Sequence, residues 1–161
     1  LSRVLAVDWG ERRFGVALSD PGRLIAQPLA TLVRRAGKRA PVLAVVDLIV
    51  KHEVDEVVVG LPLTPEGAEG EAAAAARRFG EAVSRRSGVP VHFRDERLST
   101  AAALGAARRS GVKARDARSR LDQMAAVVIL QGYLDAQRTA GTSTPAHGRM
   151  AAPAHRRTDE R

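Results

Sequence analysis

The chain contains no cysteine, which excludes disulfides, thiolate nucleophiles and cysteine metal sites, and fits a reducing compartment such as the cytoplasm. It also lacks a His-x-x-x-His pair, so zinc is a poor candidate for any metal site. Aromatic residues are scarce, at 3%. The longest apolar stretch, Pro41 to Val50, is broken by Asp47 and is too short to span a bilayer. No secretory signal is read at the start, and no internal repeat is evident. These gaps leave a chain of 161 residues with an ordinary apolar content, enough for one domain with a real core. Its formal net charge of +8 favours polyanions, nucleic acid ahead of an acidic membrane surface; excess solvated arginine is the plainer account of the same number.

Apolar patterning predicts the elements. Residues 3–8 form a buried run ending in a carboxylate, Asp8. Residues 13–19 alternate, with Phe14, Val16 and Leu18 on one face, and the link through Gly10 suggests a hairpin. Ser19-Asp20-Pro21-Gly22 is a turn, and 25–33 a weaker strand that Pro28 suits to an edge. Pro41 opens a helix carrying Val42, Val45, Val46 and Ile49. A continuous apolar strand follows over 54–61, then an alanine-rich helix over 69–86 closed by Gly88, and a short strand over 89–93. Residues 94–100 are polar and charged. A helix is expected over 101–109, a basic mobile link over 111–118, and a last helix over 119–137. The order β-β-β-α-β-α-β-α-α suggests a mixed sheet covered by helices. The expected division is a domain over 1–138 and a disordered basic tail over 139–161, where His147 and His155 are solvated.

Three carboxylates stand where composition alone would not put them: Asp8 at a strand end, Glu96 just past the strand at 89–93, and Asp122 in the first turn of an apolar helix. If they converge, the natural partner is a hard divalent cation, Mg²⁺ or Mn²⁺, and such ions assist phosphoryl displacement. Each has a plainer account. Asp8 suits a turn capping local N–H groups, Glu96 suits an ion pair with Arg94 or Arg97, and Asp122 suits the positive end of its helix. Asp95 faces away from Glu96 in an extended segment. Arginines flank all three positions, and Ser99 or Thr100 suits a helix N-cap near which a phosphate can sit. Gly10 and Gly15 suit close approach of the backbone to a ligand.

The motifs Asp8-x-Gly10-x-x-Arg13-x-Gly15-Val16-Ala17, Ser19-Asp20, Val59-Gly60-Leu61-Pro62, Asp95-Glu96-Arg97-Leu98-Ser99-Thr100 and Asp122-x-x-Ala125-Ala126 resemble, in order and spacing, the YqgF family. That family, also called RuvX, comprises pre-16S rRNA nucleases and Holliday-junction-resolvase-like proteins of the RNase H-like superfamily. The resemblance covers about residues 3–136. It implies an α/β fold, an RNase H-like mixed five-stranded sheet flanked by helices, and a Mg²⁺- or Mn²⁺-dependent nuclease site. By position, Asp8, Glu96 and Asp122 match the acidic triad as catalytic residues and metal ligands. Arg13, Arg97, Ser99 and Thr100 match positions that contact phosphate or brace the site. The implied task is maturation of the 5′ end of pre-16S rRNA, with a pre-ribosomal particle as partner, no membrane, and a monomer or homodimer in the cytoplasm. Cleavage of branched DNA is the related alternative, which calls for a symmetric dimer. A binding module for ribosome assembly without catalysis, and a small-molecule phosphotransferase of the sugar-kinase and actin type, are the remaining alternatives. The sequence departs from the pattern at Phe14, at Pro65-Glu66, and at Ala125, where related junction resolvases carry a further Asp.

Overall fold

The computed structural model describes residues 2–95 and 115–142. Five strands form one sheet: β1 (Arg3–Asp8), β2 (Arg13–Ser19), β3 (Ala26–Val33), β4 (Val54–Leu61) and β5 (Val91–Asp95). Their order is β3-β2-β1-β4-β5, with β1, β2 and β3 antiparallel and β1, β4 and β5 parallel. The expected mixed sheet is therefore present, with Pro28 on the β3 edge. Helices α1 (Val42–Lys51) and α2 (Glu71–Ser87) cover one face, and α3 (Arg115–Thr142) covers the other.

Alternation along the strands divides the core between these faces. Leu5, Val7, Trp9, Phe14, Val16, Leu18, Val57 and Val59 pack with Val45, Ile49, Phe79 and Val83 of α1 and α2. Val4, Ala6, Ala17 and Val58 pack with Ala126, Ile129, Leu130 and Leu134 of α3. The aromatic group of this small set sits on the first face, where Trp9, Phe14 and Phe79 have ring centroids 5.0–5.7 Å apart. Small residues beneath α3 let that helix lie close to the sheet.

Several boundaries differ from expectation: the alanine-rich helix starts two residues later, at Glu71, and β5 and the last helix shift more. β5 begins two residues later, because Gly88 turns the chain with φ 72° and the Pro90 carbonyl only accepts from Val57 N–H before the ladder starts at Val91. Arg94 and Asp95 then continue the strand by pairing with Gly60 and Leu61. The last helix is longer at both ends than 119–137, taking in Arg115 to Arg118 of the expected link and running on to Thr142. At the amino end Arg115, Ala117 and Arg118, residues of high helix propensity, extend it without needing an apolar face; at the carboxyl end Arg138 and the Thr139 hydroxyl donate to the Asp135 carboxylate and carbonyl. The helix expected over 101–109 lies outside the described residues.

At the amino ends of β1 and β4, on the α3 face, a polar cluster surrounds the buried Glu56. Arg23 donates to Glu56 Oε2 and to Asp55 Oδ1, both at 2.8 Å, and adopts φ 56° in the tight turn before β3. That turn is organised by Asp20, whose carboxylate accepts from the backbone N–H groups of Ile25, Leu24 and Gly22 and is thereby held below its usual pKa. The Tyr133 hydroxyl of α3 donates to Glu56 Oε1, and Gln137 donates to the Tyr133 oxygen at 2.9 Å. Burial, with that donation to Glu56, pushes the Tyr133 phenol above its ordinary pKa.

Truncating Glu56 to Ala removes the acceptor that Arg23 and Tyr133 share and leaves Arg23 only its more exposed partners, Asp55 and Ser2, so a loss of about 1–3 kcal/mol is expected in urea unfolding. Folding keeps Tyr133 protonated beyond its unfolded range. Its contribution is complete below about pH 10 and is lost as pH rises toward the folded value. Tyr133→Phe should therefore flatten the alkaline limb of the stability profile relative to the unsubstituted chain, as read by unfolding at a series of pH values.

Candidate active site

Asp8 ends β1 with 3% of its surface exposed. Its register partners are Gly15 on β2 and Gly60 on β4, so no side chain flanks it on either neighbouring strand. Opposed residues share a face, which places Asp8 with Ala6 and Val4 on the α3 side. Gly15 belongs to the same side. A Cβ built there would lie 1.8 Å from the Asp122 carbonyl oxygen, so only glycine lets α3 descend at this point. That descent sets Asp122 beside the rung that carries Asp8. The close approach allowed by Gly15 is thus to a helix backbone, not to a ligand as expected. The one at Gly10 is local, with its notional Cβ 2.3 Å from the Arg13 carbonyl oxygen.

Asp122 is fully buried. Arg13, at the start of β2, donates from Nε to Asp122 Oδ2 at 2.7 Å and from Nη2 to Ser119 Oγ at 2.8 Å. A charge-assisted bond of this length compensates a carboxylate that would otherwise be too costly to bury. α3 begins at Arg115, so Asp122 lies two turns inside it. The expectation that it sits in the first turn, at the positive end of the helix, is corrected; the dipole acts over the terminal turn, and Arg13 supplies the charge. Thr31 of β3 fixes the same segment, donating to the Ser119 carbonyl at 3.1 Å and accepting from Gln123 at 3.2 Å. Sequence reasoning missed Ser119 and Thr31, whose pairing spans 88 positions and leaves no local signal.

β5 ends at Asp95, which pairs with Leu61 and so takes the face opposite Asp8. Glu96, Arg97, Ser99 and Thr100 lie outside the described residues. Arg13 serves as a brace for Asp122 and also borders a cleft of about 490 Å³. This cleft opens at the carboxyl ends of β1 and β4, where ligands gather in α/β sheets. Arg12 and Arg118 line it with Trp9, Gly10 and Pro62. Among the described residues no three acidic or histidine side chains form a metal cage. Asp8 and Asp122 supply two buried carboxylates, oxygen donors of the type a hard cation takes. Ala125, one turn beyond Asp122, is fully buried.

Arg13→Ala leaves the Asp122 charge without its guanidinium, and a loss of about 2–4 kcal/mol is expected in denaturant unfolding. Adding Asp122→Asn removes that charge and should recover part of the loss, a non-additivity the double-mutant cycle measures directly. Gly15→Ala forces α3 off the sheet, with an expected cost of about 1–3 kcal/mol.

The family model described as "RuvX: Holliday junction resolvase" matches residues 2–136. A relative from Chloroflexus aurantiacus, named "Putative pre-16S rRNA nuclease", is 43% identical over 136 residues, covering 84% of this chain and 88% of the relative. One of the same name from Anaeromyxobacter is 44% identical over 133 residues, covering 83% of this chain and 96% of its own length. Among solved structures, Thermus thermophilus RuvC in complex with a Holliday junction substrate aligns with a TM-score of 0.51 at 15% identity, covering 86% of this chain and 96% of that one. At that identity the likeness speaks for the fold, an α/β fold of the RuvC and RNase H type. The extent of the sequence match, residues 2–136 by the family model and more than four fifths of both partners for these relatives, carries the assignment: the chain belongs to the RuvX family.

Proposed function

We propose that the protein is a metal-dependent endonuclease that hydrolyses phosphodiester bonds of structured nucleic acid, in 5′-end processing of pre-16S rRNA. The observation that carries this reading is the pair of buried carboxylates, Asp8 and Asp122, set on either side of Gly15 beside an arginine-lined cleft. The relatives' names point to the same task. In this reading Asp8, Glu96 and Asp122 hold Mg²⁺ or Mn²⁺. Bound there, the cation supplies a nucleophile from water and stabilises charge on the phosphate. Arg13 fixes the position of Asp122 and so braces the site, while Arg97, Ser99 and Thr100 contact the substrate backbone. Arg12 and Arg118 add positive charge at the cleft mouth, which favours a polyanion over a small neutral substrate. The nuclease domain is assigned to residues 1–138 and a basic tail to 139–161, with action on a pre-ribosomal particle in the cytoplasm. No helix among the described residues is long and apolar enough to cross a membrane.

Cleavage of a branched DNA junction is the second reading, favoured by the description of the family model. One assay separates the two. Purified protein is given a pre-16S 5′-end transcript and a four-way DNA junction, each with Mg²⁺ or Mn²⁺ and with EDTA. Cleavage of the transcript alone, abolished by EDTA and reduced at least about a hundredfold in Asp8→Asn, is the expected outcome. Cleavage of the junction alone moves the assignment to DNA. Cleavage that persists in EDTA and in Asp8→Asn overturns the metal site, and binding without cleavage leaves an assembly module.

A further inference from the structure

The cleft beside the carboxylates does not end there. A second one, of about 740 Å³, shares Trp9, Glu11 and Ala72 with it and continues along the amino-terminal half of α2, past Arg34, Glu71 and Arg78. Together they form a groove that starts at the carboxyl ends of β1 and β4 and turns onto the α2 face. We propose that this groove seats a single-stranded RNA flank of the substrate, leading away from the scissile phosphate; the inference rests on the nuclease reading above.

Four features support it. Trp9 is 8% exposed and lines both clefts, yet its indole N–H has no acceptor among the described residues. A phosphate or ribose oxygen in the groove would give that N–H an acceptor. Second, α2 starts at Gly70 with no side-chain cap, so the first-turn N–H groups face the groove's start without a side-chain acceptor. Third, Ala72 and Ala74 are exposed on the groove wall, where larger side chains would fill it. Fourth, charge is suited to a polyanion: Arg12, Arg34 and Arg78 stand against Glu11 and Glu71, with Arg13 committed to Asp122. Arg77 next door is paired with Glu69, whereas Arg78 is exposed with no ion pair among the described residues. The path favours a single strand over a duplex. Its lining passes from Gly10 and Pro62 beyond the ends of β1 and β4 to Ala75 and Arg78 on α2, and double helices are stiff over about 50 nm.

Trp9 is the only tryptophan, so its emission reports the groove directly. The full chain is titrated in EDTA with a labelled single-stranded RNA oligonucleotide, reading label anisotropy and Trp9 emission together. Both signals should move with one midpoint. Arg78→Glu should raise that midpoint about tenfold and shallow the salt dependence, its slope falling by about 0.7 for each phosphate no longer neutralised. Arg85→Glu, the same charge change on an exposed site outside the groove, should have a much smaller effect. Trp9→Phe keeps an aromatic ring and removes the donor, and should weaken binding about fivefold by anisotropy. Rising anisotropy with unchanged Trp9 emission, or equal effects of Arg78→Glu and Arg85→Glu, overturns the groove while leaving the nuclease reading intact. Flat anisotropy in the unsubstituted chain removes single-strand binding altogether, and the groove with it; the cleavage assay then judges the nuclease reading alone.

Discussion

The ion pair between Arg13 and Asp122 is the constraint on which the candidate site depends. It joins the first residue of β2 to the interior of α3 across 109 positions of sequence. Burying either charge alone would be unfavourable, and a buried pair seldom stabilises a fold better than apolar contact does. What the pair contributes is position. The guanidinium is planar and grips Asp122 and Ser119 one turn apart, so it sets both the rotation and the height of the helix. An apolar contact at the same place would leave α3 free to slide by the width of a methyl group. In the proposed reading, a carboxylate that acts with Asp8 cannot tolerate that.

The Glu56 cluster answers this pair at the other end of the same helix. Tyr133 follows Asp122 by eleven residues, about 16 Å along the axis. Between the two pins, Ala126, Ile129 and Leu130 lie on Val4, Ala6, Ala17 and Val58. Small sheet residues bring the helix close, and polar contacts at both ends stop it shifting. The sheet therefore carries its directional bonds at the edges of the α3 interface and its non-directional packing in the middle. The opposite face is built differently, around three packed aromatic rings with Phe93 against the same cluster.

How much of this was legible in the sequence follows from the range of each interaction. The strand ending in Asp8, the alternation of Phe14, Val16 and Leu18 and the buried run at 54–61 were readable, because strand period and burial are written in adjacent residues. The edge position of β3 was readable from Pro28. The depth of Asp122 in its helix was not, because Arg115 to Arg118 resembles a charged linker in composition while favouring helix in propensity. Gly15 was recognised as a place of close approach, but sequence does not say what approaches. Glu56 carries no local signal of its role, because its partners come from a turn 33 residues earlier and a helix 77 residues later. Local chemistry was visible, and pairing between distant elements required the fold.

The rung Gly15–Asp8–Gly60 joins these observations. Glycine on both sides gives Asp8 a trough, and the two glycines are used unequally. Gly15 is filled by the backbone of α3, which delivers Asp122. Gly60 pairs onward with Arg94, next to Asp95 at the end of β5, and the chain then enters the segment holding Glu96. An acid at position 125 would put a second buried charge on the Asp122 side of α3, where Arg13 is already bonded to Asp122 and Ser119. Alanine there avoids that cost and fits the close helix-to-sheet spacing that Gly15 demands. A site resting on three carboxylates, in the proposed reading, is thus matched to a single bracing arginine, and its geometry is decided by how near α3 can come to β2.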